Sequence, residues 1–125
     1  MPPHKLHIAQ SAEAQITTQF DPYVVGAVND YQVKVAKFGA EFDWHAHEEE
    51  DEAFFILSGK VAIDFRDGTV TLNPGEFLVV PKTIEHRPRA LTDNPIVLMF
   101  EPASTLNTGN ADSIYTREHL KKLSP

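Results

Sequence analysis

Residues Gly39 to Gly59, GAEFDWHAHEEEDEAFFILSG, hold the densest set of chemically informative side chains in the chain. Two histidines within this segment, His45 and His47, are two positions apart. Successive side chains of a β-strand point to opposite faces, so this spacing places both imidazoles on one face, close enough to share a metal ion. We therefore predict a strand over Phe42–His47 with two candidate ligands on the same side.

A carboxylate completes the first part of this candidate site. Glu52 follows the acidic turn Glu48–Asp51 and begins the apolar run Ala53–Leu57, which is typical of a further strand. Two imidazoles and a carboxylate form a nitrogen and oxygen ligand set that suits iron, manganese, zinc, nickel or copper rather than calcium. At least one more ligand is needed, and the candidate is His86.

Length and composition limit the class of protein. With 125 residues and ordinary hydrophobic and charged fractions, the chain fits one globular domain spanning residues 1–125. It has no cysteine, which excludes disulfides and thiolate metal sites. The net charge is −7 and no basic stripe is present, so we expect no nucleic-acid partner. No segment resembles a signal peptide or a membrane span, which favours a cytoplasmic protein without a membrane partner.

Short strands separated by turn signals predict an all-β fold. The predicted strands are Tyr23–Val28, Tyr31–Phe38, Phe42–His47, Glu52–Leu57, Lys60–Phe65, Thr69–Leu72, Phe77–Val80, His86–Leu91 and Ile96–Phe100. This spacing is typical of an antiparallel sandwich or barrel, with a core over about residues 23–101. A short helix is predicted over Ile8–Ile16 in the N-terminal segment. A second is predicted over Thr116–Leu123, where Thr116 is a candidate N-cap.

Two motifs in the chain resemble those of the cupin superfamily, whose members are small jelly-roll β-barrels. The first motif, G-x5-H-x-H-x4-E-x6-G, is matched in full by Gly39, His45, His47, Glu52 and Gly59. The second, G-x5-P-x-G-x2-H-x3-N, is matched at Gly75, Pro81 and His86, but Thr83 and Ala90 replace its glycine and asparagine. The resemblance covers residues 33 to 100 and implies a small, single-domain, conserved-barrel cupin.

The resemblance also implies a ligand set. In metal-binding cupins the histidines and glutamate of these motifs hold one divalent ion inside the barrel, which transfers here to His45, His47, Glu52 and His86. These four fill four positions of an octahedral ion and leave two for water, substrate or dioxygen. Thr83 puts the turn before His86 in question, because a positive φ is costly for any residue except glycine.

The alternation of side chains along the predicted strand Glu52–Leu57 outlines a pocket beside this site. If Glu52 faces the interior, Phe54 and Ile56 do so as well, and Lys37 is the candidate basic group. An apolar pocket with few polar anchors favours a small organic ligand. Phe55 and Leu57, apolar on the opposite face, need cover from the N-terminal segment or from a second subunit, and cupins of this size are often homodimers.

We therefore expect a metal-binding cupin that binds a small molecule, with dioxygenase, isomerase and lyase chemistry all open. No nucleophile with a neighbouring base is visible, so no catalytic residue is assigned. The alternative is a non-catalytic ligand-binding or sensor cupin, and a structural role like that of seed-storage cupins ranks third. The sequence does not choose the metal, the substrate or the reaction.

Overall fold

The computed structural model describes every residue from Met1 to Pro125. Its elements are helix α1 (Ile8–Gln15) and strands β1 (Tyr23–Val28), β2 (Tyr31–Lys37), β3 (Glu52–Ser58), β4 (Val61–Phe65), β5 (Gly68–Leu72), β6 (Phe77–Val80), β7 (His86–Ala90), β8 (Ile96–Pro102) and β9 (Lys121–Lys122). A six-stranded sheet has the order β6-β3-β8-β2-β1-β9, and a three-stranded sheet has the order β5-β4-β7. The predicted all-β jelly roll is confirmed. None of its helices has the length and hydrophobicity needed to cross a membrane.

The main core lies between the two sheets, where alternate side chains of both face inward. Phe54 and Ile56 of β3 meet Val61 and Ile63 of β4 in one buried apolar cluster. Burial of a side chain of this size contributes about 1.5–3 kcal/mol to stability. The same alternation points Glu52, at the start of β3, into this interior.

Most predicted elements are present with ends shifted by at most two residues. The hairpin of β1 and β2 turns at Asn29-Asp30, since Val28 pairs with Tyr31. Asn29 has a φ of +52°, as the primed two-residue turns require, and asparagine tolerates that conformation better than most residues. The sequence thus specified this turn locally.

The predicted strand Phe42–His47 is wrong. The segment is irregular, and its only ladder contact is a bridge in which His45 and His86 exchange backbone hydrogen bonds of 3.0 and 2.9 Å. The backbone of Ala46 is bonded instead by Asn110, whose Oδ1 accepts from Ala46 N at 2.9 Å and whose N–H donates to Ala46 O at 3.0 Å. The segment therefore contacts β7 only at separate points, and a distant loop bonds the backbone between the two histidines.

The predicted C-terminal helix over Thr116–Leu123 is also wrong. This segment is irregular except for β9, which pairs with β1 in parallel, and Leu123 N–H donates to Val24 O at 2.8 Å. Leu123 is buried with Ala12 of α1 and with Ile16, the residue that follows this helix, in a second apolar cluster on the outer side of the large sheet. Burial of Leu123 and the edge hydrogen bonds outweigh the weak helical propensity of this short segment.

Candidate metal centre

Four buried side chains meet between the two sheets, and they are the four predicted metal ligands. They are His45, His47, Glu52 and His86, each at most 3% exposed. Their ligand atoms, one from each residue, all lie within 4.8 Å of one another. Ligands at about 2 Å from one ion lie up to about 4 Å apart, so a small contraction is enough to hold one ion.

Both sheets contribute to this cluster. Glu52 is the first residue of β3 in the large sheet, and His86 is the first residue of β7 in the small one. The backbone bridge between His45 and His86 ties the irregular segment to β7. His45 and His47 do not share a strand, yet their ring centroids lie 5.0 Å apart. The predicted convergence of the two rings is therefore reached by a different backbone path.

The ring orientations leave one nitrogen of His45 and one of His86 directed to the centre. The Nδ1 atom of His45 lies 2.9 Å from Asp43 O, and that of His86 lies 3.0 Å from Ile84 O. A carbonyl oxygen only accepts, so each Nδ1 must carry the hydrogen and each Nε2 keeps a free lone pair. Metal-binding histidines are commonly oriented by this kind of bond to a backbone carbonyl.

Several polar atoms of the cluster have no hydrogen-bond partner. They are both ring nitrogens of His47 and Nε2 of His86. Glu52 Oε1 is close, at 3.2 Å from His47 Nε2 and 3.5 Å from His86 Nε2. Buried polar atoms are nearly always paired, and each exception calls for an explanation. The donor set fits a divalent transition metal ion, which would supply the missing partner.

The electrostatics favour the protonation states that ligands need. Burial, followed by repulsion from His86, lowers the pKa of His45 to about 4, although the bond to Asp43 O opposes this. Burial alone would raise the pKa of Glu52, but the neighbouring side chains of Glu101, His47 and His86 hold it well below its usual range. A neutral imidazole and an ionised carboxylate are the forms that bind metal.

The loop around Gly109 supports the irregular histidine segment from outside. Gly109 has a φ of +53°, and a Cβ at this position would collide with Ala46 O. Asn110 bonds the backbone of Ala46 from both sides, and the Ser113 hydroxyl donates to Asp43. Because Asp43 O orients His45, this loop fixes the ligand through its neighbours.

An apolar cavity opens beside the cluster. It is lined by Phe20, Pro22, Ala36, Phe38, Phe42, His45, Glu52, Phe54, Pro88, Met99 and Asn107. Only about 30 Å³ of it is open to a water-sized molecule. Phe42 stacks on Tyr115 with centroids 5.2 Å apart, which closes the wall on the side of the C-terminal loop. Two of the four candidate ligands, His45 and Glu52, thus border a narrow aromatic cavity.

The three predicted pocket residues lie in different places. Phe54 lines the cavity and its ring centroid is 6.2 Å from that of His86. Ile56 is fully buried in the main core and does not line the cavity. Lys37 points away, because its Nζ donates to Glu13 O at 3.3 Å and lies 3.5 Å from the Glu13 carboxylate on α1.

Sequence reasoning missed a buried ion pair next to the cluster. Lys34 on β2 and Glu101 on β8 are 2% and 1% exposed, with Lys34 Nζ 2.9 Å from Glu101 Oε1. Alternation along β2 gives the signal that was available, since Lys34 shares its face with the core residue Ala36. Lys37 lies on the opposite face. The inward-facing lysine was therefore identifiable by parity.

Comparison with known proteins adds the family relationship. The family described as "Cupin domain" matches residues 32–100 of the chain. The uncharacterized protein YdbB of Bacillus subtilis is 41% identical over 69 residues, which are 54% of this chain and 61% of that protein. The chain therefore matches less than two thirds of the length of this curated relative.

Solved structures with the same architecture include two from other bacteria. A cupin-2 domain containing protein from Shewanella frigidimarina NCIMB 400 is 36% identical, with a TM-score of 0.71 over 75% of this chain and 91% of that one. Protein NMB1881 from Neisseria meningitidis is 29% identical, with a TM-score of 0.70 over 80% of this chain and all of that one.

Proposed function

Because this chain belongs to the cupin family, we propose that it holds one divalent transition metal ion through His45, His47, Glu52 and His86 and binds a small organic molecule beside it. The observation that carries the proposal is the set of buried ring nitrogens without partners. A single metal ion would bind three imidazoles and a carboxylate together and so would supply the missing partner. Iron, manganese, nickel, zinc and copper all fit this donor set.

The proposed reaction class follows from the open positions of such a site. An ion held by His45, His47, Glu52 and His86 would supply Lewis-acid chemistry or would activate water or dioxygen, so dioxygenase, isomerase and lyase activity all remain candidates. Phe42 and Phe54 form aromatic walls beside His45 and Glu52, and they would shield a molecule bound there from water. The apolar lining favours a largely apolar substrate, and because the open volume is only about 30 Å³, the walls have to move apart to admit it.

A non-catalytic ligand-binding or sensor protein is the second candidate, and one observation favours it. The cavity lining contains no titratable side chain besides His45 and Glu52. The amide of Asn107 is already occupied, because it donates to Tyr115 O at 2.8 Å and accepts from Arg117 N at 2.9 Å. Any general acid or base would therefore have to come from the ligands themselves or from the substrate.

Elemental analysis of protein purified without an affinity tag or chelator tests the metal proposal. We expect about one equivalent of a transition metal per chain, lost in His47→Ala and retained in His4→Ala. His4 is the matched control, because it lies in the exposed N-terminal segment. Absence of metal in the unmodified protein, before and after titration with these five ions, would remove the metal proposal and leave a ligand-binding barrel.

The identity of the metal then decides which activity assays are used to separate the two candidates. If iron is found, oxygen consumption is measured with small thiols, enols and aromatic acids. Manganese, nickel or zinc directs the assays to isomerase, lyase and hydrolytic reactions. Turnover that depends on His47 favours the enzyme, whereas tight retention of a small molecule without turnover favours the binding protein.

We also propose a homodimer formed through the outer face of the large sheet. Phe77 and Val79 on the edge strand β6 and Tyr31 and Phe100 further along the face are between 41% and 60% exposed. Strand pairing makes this surface continuous, since Phe55 lies between Phe77 and Leu98. A contiguous exposed apolar face next to a free edge favours association, and a second copy supplies a self-complementary partner.

Sedimentation velocity at micromolar concentration tests the dimer. Phe77→Asp places a charge on the β6 edge of this face and should convert a dimer to a monomer. Ile114→Asp is the control, because Ile114 is the isolated, 86% exposed hydrophobic residue of the C-terminal loop. A monomeric unmodified protein would rule the dimer out.

A further inference from the structure

A second cavity borders the proposed metal ligands, and we call it the acidic cavity. It has a volume of about 260 Å³, and its lining includes His47, Glu48, Glu49, Glu50, Ser104 and Asn110. The apolar cavity described above meets the ligands at His45 and Glu52 instead. The four ligands are therefore bordered by two cavities of different character, and His47 is the one ligand in the wall of the acidic cavity.

Three consecutive carboxylates line the acidic cavity without a counterion. Its lining contains no lysine or arginine, and none of Glu48, Glu49 and Glu50 forms an ion pair. Elsewhere on the surface, by contrast, Glu85 pairs with Arg66 at 3.2 Å. A recess lined by charges of one sign concentrates the electrostatic field and attracts ions of the opposite sign. The acidic cavity therefore favours a cation.

Neutral donors hold two of these carboxylates in place. Asn110 Nδ2 donates to Glu48 Oε1 at 3.2 Å, and Ser104 Oγ donates to Glu50 Oε2 at 3.0 Å. An amide or a hydroxyl orients a carboxylate without cancelling its charge. The loop around Asn110 thus keeps the carboxylates at the cavity although they repel one another.

His47 has a ring nitrogen that one bound ion does not account for. Both of its ring nitrogens lack a partner, and the residue is only 3% exposed. Metal-binding histidines almost always donate their second ring N–H to a carboxylate, a carbonyl or water. His45 and His86 have a backbone carbonyl in this role, and His47 has none. The acidic cavity borders this ring, so its carboxylates or the water around a captured ion can supply the missing acceptor.

We propose that Glu48, Glu49 and Glu50 capture a hydrated divalent metal ion and deliver it past His47 to the four ligands. The inference rests on the proposed function, because it concerns how the same site is loaded. Carboxylate oxygens suit hydrated divalent cations, which keep several of their waters in such surroundings.

The sizes of the two cavities support this route. Six waters around an ion occupy about 180 Å³, at about 30 Å³ each, and the acidic cavity provides about 260 Å³. The apolar cavity has only about 30 Å³ open, and its lining is mainly aromatic and aliphatic. An ion that enters apolar surroundings loses its hydration without compensation. The acidic cavity is therefore the favourable entrance for the metal, which leaves the apolar cavity to the organic molecule.

The rate of Co²⁺ uptake by metal-free protein tests the proposal. Co²⁺ quenches tryptophan fluorescence, and the single tryptophan, Trp44, is adjacent to His45 in the sequence, so stopped-flow fluorescence follows binding. The measurement uses an ionic strength of about 10 mM, where the Debye length is about 30 Å, and Co²⁺ concentrations at which the rate is proportional to concentration.

In Glu48→Gln/Glu49→Gln/Glu50→Gln all three charges are removed, while the amide oxygens still accept from Asn110 and Ser104. Electrostatic focusing raises association rates by about 10–1,000-fold, so we expect uptake to become at least about 10-fold slower. The difference should shrink in about 1 M NaCl, where the Debye length is about 3 Å. One Co²⁺ per chain should still bind at saturation, as measured by elemental analysis.

Asp30→Asn/Asp67→Asn/Asp93→Asn is the matched control. These aspartates are exposed and lie outside the acidic cavity, and this variant has the same net charge as the glutamine variant. It should take up Co²⁺ at nearly the unmodified rate. Millimolar Ca²⁺, which prefers oxygen ligands, should slow uptake in the unmodified protein more than NaCl of equal ionic strength does, and this difference should be absent from the glutamine variant.

Equal uptake rates in the glutamine and asparagine variants would overturn the proposal, because the position of the charges would then not matter, and the metal proposal would stand. A folded glutamine variant that no longer binds Co²⁺ at saturation would also overturn it, since the glutamates would then belong to the final site. If the unmodified protein binds no Co²⁺, the proposed function fails and this inference fails with it.

Discussion

Strand β7 carries two charged clusters on its opposite faces, and they differ in how their polar atoms are paired. His86 faces the interior and joins the histidine cluster, which comprises His45, His47, Glu52 and His86. Arg87 and Arg89 face outward and join the aspartate cluster, which comprises Asp64, Thr69, Arg87 and Arg89. Strand β7 thus lies between the histidine cluster, in which some buried polar atoms lack hydrogen-bond partners, and the aspartate cluster, in which the buried carboxylate has them.

The aspartate cluster satisfies its buried carboxylate fully. Asp64 Oδ2 accepts from Arg89 Nε at 2.8 Å and from Arg87 Nη2 at 3.1 Å, and Oδ1 accepts from Thr69 Oγ1 at 2.8 Å. The bond from Arg89 is the main reason that the pKa of Asp64 is lowered to about 2. In the histidine cluster, three ring nitrogens have no partner.

The difference separates a stabilising cluster from one built for a ligand. A paired carboxylate contributes to folding by itself, whereas unpaired buried nitrogens cost stability until something binds them. Burial and charge alone do not make this distinction, because both clusters contain buried ionisable groups. The pairing of individual atoms does.

The largest effect expected from this contrast is stabilisation by metal. At a free ion concentration about 1,000 times Kd, binding to the folded state alone adds about 4 kcal/mol to the free energy of unfolding. For a chain of this length, that raises Tm by roughly 10 °C or more. We expect the shift with Co²⁺ in calorimetry for the unmodified protein and for Asp64→Asn, because the aspartate cluster takes no part. His47→Ala should show no shift, and an equal shift there would contradict the contrast.

The next effect concerns Asp64→Asn, which removes the charge that both arginines face. We expect the free energy of unfolding to fall by about 2 kcal/mol near neutral pH, because charge-assisted hydrogen bonds are lost. Asp64 has a folded pKa of about 2, below its ordinary value of 3.8. The stability it contributes is therefore complete above about pH 5 and is lost as the pH falls through 4 towards 2.

Urea unfolding of both proteins between pH 7 and pH 2.5 measures this dependence. The difference between them should be constant at the upper end and shrink at the lower end. Glu85→Gln is the control with the same change of charge, since Glu85 pairs with Arg66 at the surface, where both side chains are at least half exposed. It should change stability little. A difference that grows as the pH falls would contradict the assignment.

The sequence predicted what depends on local pattern or on fixed spacing. Alternation and turn residues specified the hairpin at Asn29-Asp30 and the inward faces of Glu52, Phe54 and Ile56. The motif spacing identified the four residues of the histidine cluster, although the backbone carrying His45 and His47 is not a strand.

The parts that were not predicted depend on contacts between distant residues. Asn110 accepts a hydrogen bond from the backbone of Ala46, which is 64 positions away in the sequence, and no local pattern predicts such a bond. Leu123 is buried against α1, and its N–H donates to Val24 O at the edge of the large sheet. These two contacts outweigh the helical pattern of the C-terminal segment. The pairing of Lys34 with Glu101 required the register of β2 and β8, which becomes known only when the sheet order is known.

No residue of either cluster has a positive φ, but two residues close to the histidine cluster do. Thr83, three residues before His86, has a φ of +73°, and Phe20 at the cavity has a φ of +57°. Thr83 thus adopts the conformation that the motif glycine would take, and its N–H donates to His47 O at 2.7 Å. The strained backbone conformations therefore lie beside the histidine cluster, which is the site with unpaired nitrogens.

The smallest effect that we predict follows from this strain. A left-handed residue other than glycine costs about 1–2 kcal/mol, and glycine loses part of this gain through the entropy of the unfolded chain. Thr83→Gly should therefore increase the free energy of unfolding by about 0.5–1 kcal/mol, since the side chain is exposed and has no packing to lose. Urea unfolding measures the change.

Thr71→Gly is the matched control for Thr83→Gly. Thr71 is an exposed threonine in the interior of β5, where glycine should destabilise by about 0.5–1 kcal/mol. Opposite signs for the same substitution would establish that the strain belongs to the turn before His86. If both variants are destabilised, Thr83 carries no strain, and the cost of the histidine cluster lies only in its unpaired nitrogens.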